Sequence, residues 1–317
     1  MGKHILVIGS LNMDLSITME RMPAVGETVM GEELTYNLGG KGANQAYAVG
    51  RLGGQVKMLG CVGRDQFGAG QRESLAACGV DVSGLRESEA LPTGTAVIYV
   101  DAAGSNSIVV VAGANQACDT QYLKENDHLF QWCDYVLMQM EIPMSAIAYA
   151  AGRARALGKT VILNPAPAPD LIPAELLSCV DYLTPNETEL MKLSGVTGDG
   201  MEAVRQGAKA LMEQGLGCVV VTLGEEGALL ADGDGFRTYP ARKAEAVDTT
   251  AAGDCFNGAF VVALAEGMSE DEAIRFANAA SSMAVTKKGA QSSIPSREEL
   301  EQILGGAKAR QSAGGGR

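Results

Sequence analysis

The sequence is poor in histidine, with only His4 and His128, and its seven cysteines, at 61, 78, 118, 133, 179, 218 and 255, contain no C-x-x-C pair. That spacing argues against a Cys/His zinc site and equally against a disulfide framework. A reducing cytoplasm is the expected compartment. Basic residues are also scarce, 25 Lys and Arg against 38 Asp and Glu, for a net charge of -13 at pH 7. Such a balance leaves no electrostatic footprint for a nucleic-acid backbone. An anionic ligand must instead be held locally, by a helix N-terminus, backbone amides, a metal ion or one lysine. There is no apolar run of membrane-spanning length, and the opening MGKHILVIGSLNMD has no small-x-small cleavage pattern, so neither a membrane span nor a secretion signal is expected. Internal repeats are absent as well.

What is present is a globular composition: 317 residues, 46% hydrophobic and 20% charged, enough for one large or two modest domains. Compact apolar runs at 4–9, 56–60, 135–140, 160–163, 182–184 and 218–223 read as buried strands. Helix-period stretches lie between and after them, at 43–52, 68–78, 144–157, 201–214, 255–266 and 269–285. Strand alternating with helix predicts an α/β protein with a mostly parallel sheet covered on both faces. Two segments break the rhythm: polar-apolar alternation within 15–38, and TAVIYV-DAAGSN-SIVVV at 95–111, a hairpin by its turn chemistry. They predict a small extra sheet or lid, built from about 12–38 and 92–112, on a single domain spanning 1–304. Its edges would need covering, which makes it a dimer surface. The stretch 305–317 lacks apolar periodicity and is expected to be disordered. Trp132, the histidines and the 14 methionines read as core or surface fill.

Four clusters carry candidate chemistry. Gly9-Ser10-Leu11-Asn12-Met13-Asp14 ends the first strand, where α/β sheets bind ligands. Asn12 and Asp14, two apart, share one face and suit a polyhydroxylated ligand, or else form an Asx-type turn. This is not the G-x-G-x-x-G fingerprint, which counts against a dehydrogenase. Gly39-Gly40-Lys41-Gly42-Ala43-Asn44 joins a strand to a helix, with Lys41 and Asn44 on one side. It lacks the hydroxyl that a Walker A motif places after its lysine, and it also reads as a glycine-rich turn with a solvated lysine. Asp248-Thr249-Thr250-Ala251-Ala252-Gly253-Asp254 opens a helix whose unpaired N–H groups would make an anion hole. There Asp254 is placed to take a proton from an attacking hydroxyl, or merely complements the helix dipole. In Thr184-Pro185-Asn186-Glu187-Thr188-Glu189, a capping box of Thr184 with Glu187 explains three residues, leaving Asn186 and Glu189 free to face a phosphate or an Mg²⁺-bound water. Glu141 and Asn164 are further polar residues at strand ends.

In chain order GSLNMD, GGKGAN, LNPAPA, TPNETE, VTLGEEG and DTTAAGD resemble the PfkB carbohydrate kinase family, from about residue 4 to about residue 304. The resemblance implies a Rossmann-type sandwich with a β lid, and transfer of the ATP γ-phosphoryl group to the 5-hydroxyl of D-ribose, or to another sugar such as deoxyribose or a nucleoside. It implies Asn12, Asp14, Gly40, Lys41, Asn44 and Glu141 against the sugar, Asp254 as general base, and the amides of Ala251, Ala252, Gly253 and Asp254 as anion hole. Asn186, Thr222, Gly224, Gly227, Gly253 and Asn278 would line the ATP site, with Glu189 positioning Mg²⁺ through water. K⁺ would be an activator held by Asp248, the carbonyls of Thr250, Ala284, Lys287 and Gly289, and the Ser293 side chain. A homodimer through the lid is also implied. Cys255 departs from the family, where threonine often follows the aspartate; its thiol is either activated by the helix N-terminus or buried and inert. A non-catalytic sugar sensor on this scaffold would have no need of Asp254.

Overall fold

The computed structural model describes residues 2–313. In chain order the strands are β1 His4–Ile8, β2 Asn12–Met19, β3 Gly31–Gly39, β4 Gln55–Leu59, β5 Cys61–Gly63, β6 Arg86–Ser88 and β7 Gly94–Val100. They continue as β8 Asn106–Val111, β9 Tyr135–Met138, β10 Thr160–Leu163, β11 Tyr182–Leu183, β12 Cys218–Thr222, β13 Ala228–Asp232 and β14 Gly235–Tyr239. The helices are α1 Lys41–Arg51, α2 Gln66–Ala77, α3 Thr120–Glu125, α4 Asp127–Trp132, α5 Met144–Ala156 and α6 Ala174–Leu177. After these come α7 Glu187–Ser194, α8 Gly200–Met212, α9 Ala252–Ala265, α10 Glu270–Ala284 and α11 Arg297–Ala313.

Eight strands form the central sheet in the order β14-β13-β12-β11-β10-β9-β1-β4. All pair in parallel except the β13 and β14 edge, which is antiparallel. Burial on both faces explains the uninterrupted apolar runs. Along β1, Ile5 and Val7 pack into one core with α1, α9 and α10, while Leu6 and Ile8 pack into the other with α5 and α8. Helix α9 is buried on every side from Asp254 to Ala265, as its all-apolar FVVALA run requires. A second sheet, β3-β2-β7-β8, stands apart: β2 runs antiparallel to β3 and parallel to β7, and the hairpin pairs Thr95 with Val111.

Two strand pairs escaped the sequence reading. The β13-β14 hairpin lies in ALLADGDGFRTY, whose Asp-Gly turn was its available signal, and β5-β6 is too short to show periodicity. Helix α11 carries the backbone past Leu304 through Ala313, where disorder was expected. Residues 314–317 of the expected tail lie outside the described residues.

Candidate active site

The carboxyl ends of β1, β9, β10, β11 and β12 open onto one cleft, as expected of an α/β sheet. Helix α1 begins there against the backbone leaving β1. A Cβ on Gly42 would lie 2.5 Å from the Gly9 carbonyl carbon and from the Ser10 nitrogen, so only glycine permits this approach. Gly40, at φ 88°, makes the turn into the helix. The start of α1 is tied to Glu141: its Oε2 accepts from Ser10 Oγ at 2.5 Å and from the Lys41 N–H at 3.1 Å, and Gly42 N–H donates to Ser10 Oγ at 3.3 Å.

Asp254 sits in the first turn of α9 with both carboxylate oxygens gripped by α1. Asn44 Nδ2 donates to Oδ2 at 2.9 Å, and Gln45 Nε2 donates to Oδ1 at 2.9 Å. The residue entering the helix, Ala251, has φ 58°, a left-handed conformation that alanine rarely adopts and that marks stored strain. Of the four amides expected to form the anion hole, that of Ala252 donates to the Thr249 carbonyl at 3.2 Å. Among the described residues those of Ala251, Gly253 and Asp254 have no protein acceptor.

The electrostatics concentrate on one lysine. Burial works against the charge of Lys41, but Asp254, Glu141, Glu189 and Asp14 outweigh it and hold the ammonium pKa above the ordinary lysine value. Burial, then the neighbouring charges of Glu141 and Asp254, push the Asp14 carboxyl up to about 7, against the pull of Lys41. Burial likewise raises Glu189.

Three hollows lie along the cleft, two of which share Thr222, Ala252 and Gly253. One of about 250 Å³ is lined by Asn12, Glu141, Asn115 and Val110 of the hairpin strand β8. The next, about 200 Å³, is lined by Lys41, Asn186, Glu189, Gly253 and Asp254. A third of about 100 Å³ is lined by Thr222, Gly224, Gly227, Gly253 and Asn278. A hollow of about 430 Å³ lies at the amino ends of β10, β11 and β12 among Asp181, Asp232, Asp234 and Glu270, away from these groups.

Asn186 and Glu189 are arranged differently from the sequence expectation. The capping box is formed by those two, with Asn186 Oδ1 accepting from Glu189 N–H at 2.8 Å and Glu189 Oε2 accepting from Asn186 N–H at 2.9 Å. Thr184 and Glu187 form none: Thr184 is buried and donates its hydroxyl to Asn257 at 2.6 Å. Asparagine, a stronger cap, therefore starts the helix two residues later than Thr184 would. Glu189 still keeps Oε1 without a protein donor among the described residues, beside Lys41. Asn278 spends one amide hydrogen on the Tyr239 carbonyl at 2.9 Å.

The loop from Ala284 to Ser293 meets the 248–250 turn. Asp248 Oδ1 accepts from Thr250 N–H at 2.9 Å and from its hydroxyl at 2.6 Å, and Oδ2 accepts from Gly289 N–H at 2.9 Å. Burial opposes the Asp248 charge, but these donors hold its carboxyl below the ordinary range. Ser293 is fully buried and donates to the Ala290 carbonyl at 2.8 Å, and the Ala284 carbonyl accepts from Lys287 N–H at 3.1 Å.

Several residues that motif reading passed over hold the cleft in shape. Gln45 and Gln139 are fully buried beneath Asp254, and Asn115 binds Asn12 Oδ1 at 2.8 Å. Gln71 donates to the carbonyls of Asn12 at 2.6 Å and Gly39 at 2.8 Å, tying α2 to both strands. The only signal for Gln45 was its place directly after Asn44 in the GGKGAN run. Cys255 resolves to the inert alternative: it is fully buried, and burial followed by the charge of Asp254 pushes its thiol pKa up, overriding any helix-dipole activation.

The family model for "pfkB family carbohydrate kinase" matches residues 3–297. A ribokinase of Haemophilus influenzae is 40% identical over 304 residues, covering 96% of this chain and 99% of the relative. One from Bacillus subtilis is 41% identical over 302 residues, covering 95% and 99%. The structure of Arabidopsis thaliana ribokinase complexed with ribose and ATP superposes with a TM-score of 0.90 at 36% identity, covering 96% of this chain and 99% of the other. With the match running almost end to end, this chain belongs to the pfkB family of carbohydrate kinases.

Proposed function

We propose that this kinase transfers the γ-phosphoryl group of ATP to the 5-hydroxyl of D-ribose, giving D-ribose 5-phosphate and ADP. The observation that carries the reading is the carboxylate of Asp254, gripped at both oxygens, next to free helix-end amides in the hollow lined by Lys41, Asn186 and Glu189. The sugar would lie against Asn12, Asp14, Gly40, Lys41, Asn44 and Glu141, and ATP along Asn186, Thr222, Gly224, Gly227 and Asn278. Asp254 takes the proton of the 5-hydroxyl; that oxygen bonds to the γ-phosphorus as the bond to the β–γ bridging oxygen breaks, releasing ADP. Three amides, of Ala251, Gly253 and Asp254, receive the charge on the transferring group. Holding Ala251 in its strained conformation is how the chain keeps them aimed away from its own carbonyls.

Magnesium fits this cleft through water and phosphate rather than a protein cage: among the described residues no three His, Cys, Asp or Glu cluster for a metal, and Glu189 has one free carboxylate oxygen. When bound it would neutralise the nucleotide's phosphate oxygens. Potassium fits a donor set of carbonyls and hydroxyls with a single carboxylate, as offered by Asp248, Thr250, Ala284, Lys287, Gly289 and Ser293. Asp248 already links the two segments, so a cation here would stiffen the turn that leads into Ala251.

The protein is further proposed to act as a cytoplasmic homodimer paired through the second sheet, where Leu34, Tyr36 and Ile108 to Val111 are half-exposed. Seven unpaired cysteines suit a reducing compartment. The substrate is tested by ADP release with Mg-ATP and K⁺ across ribose, deoxyribose, fructose and adenosine. Turnover on ribose at the highest kcat/KM supports the assignment; a higher value on another acceptor keeps the kinase chemistry and replaces the substrate.

A further inference from the structure

We infer that Gln45 is a positioning residue for Asp254, and that Asn164 fixes Gln45 in the one amide orientation that serves. The inference rests on the reading of Asp254 as the general base. Gln45 uses its whole amide: Nε2 donates to Asp254 Oδ1 at 2.9 Å and to Asn164 Oδ1 at 3.1 Å, and Oε1 accepts from Gln139 Nε2 at 2.7 Å. Turned over, the amide would set its oxygen against the oxygens of Asp254 and Asn164, so those two partners enforce the orientation, and Gln139, whose own Oε1 has no partner among the described residues, adds a donor to Gln45 Oε1. Asn164 is anchored in turn, donating to the Thr184 carbonyl at 2.9 Å.

The arrangement joins four elements: α1 supplies Gln45, α9 supplies Asp254, and the chain just beyond β9 and β10 supplies Gln139 and Asn164. It depends on the close approach of α1 and α9, where a Cβ on Gly258 would stand 2.5 Å from Ala48 Cβ and 3.0 Å from the Gln45 carbonyl. Gln45 and Gln139 are fully buried, so solvent cannot replace a lost partner.

The grip has a chemical purpose. An aspartate in the first turn of a helix is attracted to the free N–H groups of its own helix start. A swing toward the Gly253 amide would withdraw the carboxylate from the sugar hydroxyl and fill the anion hole with the enzyme's own charge. Asn44 on Oδ2 and Gln45 on Oδ1, successive residues of α1, hold the carboxylate against that swing.

The test compares Gln45→Met in the wild-type and Asp254→Asn backgrounds, reading kcat, the Kd of ribose and of ATP by calorimetry, and folding by far-UV circular dichroism. Gln45→Met should lower kcat by about tenfold or more, the cost of a misplaced reacting group, leave both Kd values unchanged, and take nothing further from the residual turnover of Asp254→Asn. Wild-type kcat in Gln45→Met, or the same fold loss in both backgrounds, would overturn the inference by showing no role or a merely structural one. Full turnover in Asp254→Asn would overturn the base assignment itself. If Gln45→Met does not fold, Gln139→Met, which takes the donor from Gln45 Oε1 and so loosens the Gln45 side chain, is read by the same criteria.

Discussion

Asp14 is the carboxyl group whose chemistry its surroundings alter most, with a pKa of about 7 set by burial and then by Glu141 and Asp254. A sugar that donates hydroxyl hydrogens to this group prefers it ionised, so the bound state favours proton release. Below about pH 7 the protein must give up that proton in order to bind, and the KM for ribose should rise as pH falls. Above that point it should level off. Asp14→Asn should bind ribose more weakly and lose this limb; a wild-type KM that does not change with pH would show that Asp14 does not meet the sugar. Cys255 gives the opposite kind of prediction. Iodoacetamide should leave activity intact and alkylate this thiol only after unfolding, as judged by mass spectrometry of the peptide. At this scale the sequence displayed the residues that face the cleft, because Asn12, Lys41 and Asp254 sit in short motifs at strand and helix ends. Gln45 and Gln139 were illegible because a buried amide looks like any other polar residue until its partners, far away in sequence, are brought to it.

Helix starts carry most of the chemistry at the level of elements. Helix α7 is capped by the Asn186–Glu189 pair, so Glu189 has one oxygen in the cap and one without a protein donor among the described residues. Glu189→Gln keeps an oxygen for the Asn186 N–H and should leave the melting temperature nearly unchanged while raising the Mg²⁺ concentration needed for half-maximal rate. Asn186→Ala should instead destabilise by about 1 kcal/mol, the usual loss for a cap, measurable by denaturant titration. An unchanged Mg²⁺ profile in Glu189→Gln would leave the residue as a cap alone. The strand and helix alternation was readable because both faces of the main sheet are buried, which forces continuous apolar runs. The cap of α7 was misread by two residues, since Thr184-x-x-Glu187 and Asn186-x-x-Glu189 satisfy one pattern and only the burial of the Thr184 hydroxyl against Asn257 separates them.

Across the whole molecule, the second sheet is the part that its own chain leaves uncovered. All six residues of β8 are exposed, among them Ile108, Val109, Val110 and Val111, each more than half exposed, and β3 adds Leu34 and Tyr36. An apolar edge of this kind is stable in solution only when paired. Val109→Lys should convert the proposed dimer to monomer in sedimentation velocity, and a wild-type monomer at micromolar concentration would refute the pairing. The same sheet supplies Asn12 and Val110 to the hollow beside Glu141, so monomers should also bind ribose more weakly.

Asp254, at the helix-end amides of α9, is proposed to draw the proton from the sugar. The most direct test of this role is ribose-dependent ADP release with Mg-ATP and K⁺ by wild type and Asp254→Asn, alongside calorimetric binding of ribose and ATP. Binding should stay intact while turnover falls by about 10²-fold or more. Turnover close to wild type in Asp254→Asn would contradict the role.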